Sequence, residues 1–93
     1  MGAFMIKHNN YFEGHVQSLG FKEEGKDKTV GVALPGDYFF GTASRQETMQ
    51  VITGVLNING RSYFPNEEPC IIPKGNDIHI LTTSISSYLC SYD

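Results

Sequence analysis

Tryptophan is absent from this 93-residue chain, cysteine occurs only at Cys70 and Cys90, and arginine only at Arg45 and Arg61. Each scarcity excludes a class of protein. The two cysteines form no Cys-x-x-Cys pair and have no histidine pair close by, which excludes a structural zinc site. Both lie in apolar segments and read as small buried hydrophobes rather than redox groups. No basic run is present and the formal charge is -3, so nothing here neutralises the phosphates of a nucleic acid. No apolar run approaches the length of a membrane span. The opening Met1-Gly-Ala-Phe-Met-Ile-Lys-His8 lacks the basic-then-apolar order of a signal peptide, and a soluble cytoplasmic protein is expected. No ten-residue window places apolar residues at i, i+3, i+4 and i+7, so almost no helix is predicted.

What remains is a chain of short strands. Apolar residues make up 40% of the sequence, with five Tyr and six Phe, enough for one modest core. Residues 1–10 show no periodicity and are expected to be a loosely held arm; residues 11–93 form the single domain. Strands are predicted at Gly14–Phe21, Thr29–Leu34, Asp37–Ala43, Arg61–Phe64, Cys70–Ile72, Ile78–Thr82 and Ser87–Tyr92. Between them, residues 23–28 read as a solvated charged turn, and Pro35-Gly36 as a type II turn with glycine at positive φ. The prolines of Pro65–Pro69 make an irregular loop. Regularly spaced short strands predict an all-β sandwich or small barrel.

The chain is organised around Glu47-Thr-Met-Gln-Val-Ile-Thr-Gly54-Val-Leu-Asn-Ile-Asn59-Gly60. It reads as a strand, a kink at Gly54, and a second strand ending in the Asn-Gly signature of a tight hairpin. Alternation puts Glu47 on one face with Met49 and Val51. If that face is interior, Glu47 stands at the mouth of whatever the sheet encloses, where a carboxylate either carries function or caps a sheet end in water.

Glu47 with Gly54, Gly36 upstream, and Pro73-x-Gly75 ahead of Ile78-His79 resemble the two-motif skeleton of a cupin. The metal ligands of that skeleton are missing. Gly41, Thr42, Ala43 and Ser44 precede Glu47, and Ile78 stands where a third histidine belongs, so no metal is expected. A narrower resemblance covers nearly the whole chain. Tyr11-Phe-Glu-Gly14, Ser18-Leu-Gly-Phe21, Gly31-Val32, Gly36-Asp-Tyr38, Thr42-Ala43, Met49-Gln-Val-Ile-Thr-Gly54, Pro73 with His79, and Ser87-Tyr-Leu-Cys90 are similar to the small cupin-like pyrimidine/purine nucleoside phosphorylases. The resemblance implies a single cupin-like β-barrel of the jelly-roll kind and a homodimer. It also implies metal-free cleavage of nucleosides by phosphate to a free base and a pentose 1-phosphate, with no cofactor besides phosphate as co-substrate.

Phosphorolysis needs a cation for phosphate, polar groups for the sugar and an apolar slot for the base. Arg45 offers a bidentate fork, Thr42 and Ser44 offer hydroxyls, and Glu47 can hold ribose or steady developing positive charge. His79, with a pKa near neutrality, can protonate the departing base if it faces the interior; with Ile78 and Ile80 beside it, a surface or core-edge place is the alternative. Tyr38, Phe39, Phe40 and Tyr88 can form an aromatic wall, though such residues also build cores. The competing readings are a barrel that binds a nucleoside or sugar without reacting it, and a purely structural dimer.

Overall fold

The structure, a computed structural model, describes residues 5–93. Among the described residues ten strands form two antiparallel sheets. The six-stranded sheet runs β1 (Lys7–Tyr11), β2 (Val16–Glu23), β3 (Lys26–Ala33), β10 (Ser86–Tyr92), β5 (Glu47–Thr53), β8 (Cys70–Ile72). The four-stranded sheet runs β4 (Gly36–Thr42), β9 (Asp77–Thr82), β6 (Leu56–Ile58), β7 (Arg61–Tyr63). No helix among the described residues is long and apolar enough to cross a membrane.

The all-β expectation therefore holds, with one single turn of 3-10 helix at Phe12–Gly14. The single closed barrel is not what forms, because no described strand pairing joins the two sheets into a continuous ladder. They are held instead by side chains. Met49, Val51, Cys70, Ile72, Tyr88 and Cys90 from one sheet meet Leu56, Ile58, Ile78 and Ile80 from the other in one buried cluster. Burying such a side chain stabilises the fold by about 1.5–3 kcal/mol. Strict period-two alternation produces this: β9 buries Ile78, Ile80 and Thr82 and exposes Asp77, His79 and Leu81.

Several local expectations change. Residues 1–4 of the expected arm lie outside the described residues, while Lys7–Tyr11 is a strand paired with β2. The segment carries no local pattern of its own because its partner supplies the order. The charged turn shrinks to Glu24-Gly25, since Lys22, Lys28 and their neighbours pair across the β2–β3 hairpin and their charges are satisfied by Lys22–Asp27 and Lys28–Glu23 ion pairs. Gly36 is not at positive φ, so Pro35-Gly36 is not the type II turn expected. Glycine is needed there for space: a Cβ would lie 2.6 Å from the Tyr38 hydroxyl. The Asn59-Gly60 hairpin forms as read, with φ of 52° and 92°. Asn59 also ties it to β9, donating to Asp77 O at 2.8 Å and accepting from His79 N at 2.8 Å.

Candidate functional site

Between the sheets lies a cavity of about 250 Å³, walled on its apolar side by Phe40, Met49, Ile78, Ile80 and Tyr88. Its polar side carries Thr42, Ser44, Glu47, Cys90 and Tyr92, and Tyr11 stands over it from the end of β1. β4, β5 and β10 position most of these groups, and β9 supplies Ile78 and Ile80. β5 brings Glu47 inward in phase with buried Met49 and Val51. β10 lies beside it, pairing Tyr92 with Glu47 and Cys90 with Met49. In β4, Phe40 lines the cavity in phase with buried Tyr38, beside a register irregularity between Phe39 and Gly41, where Gly41 has φ +89°.

Glu47 is half-buried, and desolvation raises its carboxyl above the ordinary glutamate range. The Cys90 thiol donates to Glu47 Oε1 at 3.5 Å and pulls the other way. Burial first and the neighbouring carboxylate second push the Cys90 thiol up to about 12, so it stays a neutral donor. Burial likewise raises the phenols of Tyr88 and Tyr92. At neutral pH the cavity wall holds one ionisable carboxylate among neutral groups, and none of the described residues lining it is basic.

The residues singled out in the sequence divide. Glu47, Thr42, Ser44 and Tyr88 meet at the cavity. Tyr38 does not; it is buried in a separate cluster with Val16 and Ala33, and its hydroxyl donates to Leu34 O at 2.6 Å. Phe39 faces outward, so of the four aromatic residues expected to form the wall, Phe40 and Tyr88 line the cavity. His79 also faces outward, where its Nε2 meets the Asp37 carboxylate; Ile78 and Ile80 on either side take the interior. Arg45 lies in a second depression that shares Tyr11, Ser44 and Tyr92 with the cavity. There its Nη1 donates to Asp27 Oδ2 at 2.7 Å, and its guanidinium carbon lies 5.7 Å from the centre of the Tyr92 ring.

Cys90, Tyr92 and Tyr11 were not singled out as site residues. The alternation Tyr88-Cys90-Tyr92 places those three on one face, but only the pairing of β10 with β5 brings that face to Glu47. Among the described residues no three His, Cys, Asp or Glu side chains are grouped to hold a metal ion. Ile78, at the position of the third cupin ligand, lines the cavity with its apolar side chain.

These features define a small two-sheet protein whose interior pocket pairs an aromatic-apolar wall with one desolvated carboxylate. The model of a family described as pyrimidine/purine nucleoside phosphorylase matches residues 6–92. Proteins of that name from Vibrio vulnificus and Magnetococcus marinus are 39% and 37% identical to this chain, each match covering 95% of it and 99% of the relative. A crystal structure from Vibrio parahaemolyticus, described as a protein of unknown function, superposes with a TM-score of 0.82 at 36% identity, covering 94% of this chain and 97% of that one. The chain belongs to the pyrimidine/purine nucleoside phosphorylase family.

Proposed function

We propose that this protein is a nucleoside phosphorylase of broad base specificity, a pentosyltransferase that works without a metal. A phosphate oxygen forms a bond to the anomeric carbon as the bond from that carbon to the base nitrogen breaks; the bonding pair leaves with the base, which takes a proton from solvent or phosphate. The observation that carries the reading is the half-buried Glu47 carboxylate set against the Phe40 and Tyr88 rings. The rings suit any flat base, since stacking is indifferent to the pattern of ring substituents. Thr42 and Ser44 face the sugar, and ionised Glu47 opposes the positive charge that grows on it as the base departs. Arg45 supplies phosphate from the adjoining depression, which meets the cavity at Ser44. His79 has no part in this arrangement, since it bonds to Asp37 on the outer face.

The test is release of free base from mixed purine and pyrimidine nucleosides, with and without phosphate, in the presence of a chelator. Release that requires phosphate and survives chelation is expected. Arg45→Ala should raise the KM for phosphate about tenfold, as loss of a charge-assisted fork would, with nucleoside KM changing much less. Release without phosphate would make the enzyme a hydrolase; saturable nucleoside binding without turnover would make it a binding module.

The protein is further proposed to be a homodimer. On the outer face of the six-stranded sheet Leu19 pairs with Val30, and both stay exposed beside Val32 and Leu34. A second copy covering that face would add core that 93 residues lack. Sedimentation at micromolar concentration should give twice the chain mass of 10.3 kDa; a monomer would remove the proposal.

A further inference from the structure

We infer that Asp27 is a built-in competitor of inorganic phosphate: its carboxylate sits in the anion seat beside the cavity, and phosphate reaches Arg45 and Lys22 by displacing it. The inference rests on the phosphorylase reading and assigns that site a residue controlling affinity for the co-substrate.

Two cations from different elements converge on the two oxygens of this one carboxylate. Arg45 Nη1 is 2.7 Å from Oδ2, and Lys22 Nζ is 3.3 Å from Oδ1. One guanidinium nitrogen and one ammonium group, each on its own oxygen, is an arrangement that also suits two oxygens of a phosphate. The seat survives without Asp27, because the guanidinium is fixed by main-chain acceptors: Nε donates to Asp93 O at 3.0 Å and Nη2 to Tyr92 O at 3.3 Å. The depression has room, about 530 Å³, and is lined by Lys7 as well, while Lys28 at its wall is paired with Glu23. Among the described residues lining it, Asp27 is the single acid.

Register puts this seat next to the chemistry. Asp27 pairs with Tyr92, and Tyr92 pairs with Glu47, so the three side chains share one row on the inner face of the sheet. The backbones of Asp27 and Glu47 are two strand spacings apart, about 9–10 Å. That leaves width for a sugar between the anion and Glu47, with the Tyr92 ring beneath. Arg45 first, then Lys22, holds the Asp27 carboxyl below the usual range, so it is ionised and in place at neutral pH. Phosphate brings more charge and more acceptor oxygens than a carboxylate, and exchange is favourable once phosphate is plentiful.

The experiment compares Asp27→Asn with the unaltered protein by calorimetric titration with inorganic phosphate and by steady-state kinetics. Asparagine keeps the size and removes the charge. Exposed ion pairs bias such a competition modestly, so phosphate should bind about two- to fivefold more tightly and its KM should fall by the same factor. The nucleoside KM should not move. Lys22→Gln should weaken phosphate binding. Glu24→Gln, which removes an equal charge at the tip of the same hairpin, should leave phosphate binding unchanged. Unchanged or weaker phosphate binding in Asp27→Asn overturns the inference, as does an equal gain in Glu24→Gln, which would reduce the effect to net charge. Absence of phosphate-dependent base release from the unaltered protein defeats the phosphorylase reading separately, and the titration still decides the part of Asp27.

Discussion

Glu47→Gln is expected to lower turnover about a hundredfold while nucleoside KM stays within about threefold. Glutamine keeps the shape and can still accept a hydrogen bond from the Cys90 thiol, so ground-state binding is largely retained. What is lost, in the proposed reaction, is a negative charge facing the carbon that becomes positive as the base departs. In a partly desolvated pocket such charge stabilisation is strong, and removing one preorganised group of this kind costs about two to three orders of magnitude in rate. Steady-state kinetics on both proteins checks the split; equal losses in turnover and affinity would assign Glu47 to substrate binding alone. Two pH effects accompany it. Activity that needs the ionised carboxylate rises with pH through the raised pKa of Glu47, and this limb should vanish in the glutamine variant. Stability moves oppositely. The folded state holds the Glu47 proton more tightly than the unfolded chain does, so the favourable contribution is full below the unfolded pKa and is lost as pH rises through the folded one. Glu47→Gln should therefore melt higher than the unaltered protein at pH 7, and the gap should close in acid. A variant that melts lower at neutral pH would mean that the carboxylate is stabilising where it sits.

Gly54→Ala is expected to be the most damaging small substitution for stability, about 2–5 kcal/mol. Gly54 lies where the chain leaves β5 for β6 and so crosses from one sheet to the other. Its φ is +77°, which alanine adopts only at a cost of about 1–2 kcal/mol. A Cβ would also lie 2.7 Å from Ile85 O and overlap Ser86 Oγ. Ser86 cannot yield, because its fully buried hydroxyl accepts from Val55 N and donates to Val55 O, both at 3.0 Å, and meets Thr82 Oγ1 at 3.1 Å. Overpacking of this kind adds about 1–3 kcal/mol. Gly60→Ala isolates the conformational part, since Gly60 has φ +92° but open space around it, and its cost should stay near 1 kcal/mol. Denaturant unfolding of both variants gives the comparison. Equal losses would show that the contact with Ser86 contributes nothing.

The strands were legible because the signals that set them are local. Alternation over Glu47–Thr53 put Glu47, Met49 and Val51 on one face, which the structure turns inward, but over Asp77–Thr82 it left His79 open between interior and surface, and the structure turns His79 outward and buries Ile78 and Ile80. The Asn59-Gly60 turn followed from two positions that must both take positive φ. Gly36 was misread because its reason is a ring two residues on and not its own backbone, and Tyr38 because a phenol satisfied by Leu34 O looks in sequence like one awaiting a ligand. The Lys7–Tyr11 strand was missed because its order comes from its pairing with β2.

By itself the sequence determined an all-β chain, the Asn59-Gly60 hairpin and the shared face of Glu47, Met49 and Val51, all consequences of side-chain type and period two. Only the tertiary structure decided that β10 lies between β3 and β5. That placement brings Cys90 to Glu47 across 43 positions of chain, and β3 beside β10 brings Asp27 to Arg45 across 18. The physical reason is that such pairings are chosen by burial summed over two whole sheets, and no window of neighbouring residues carries that sum.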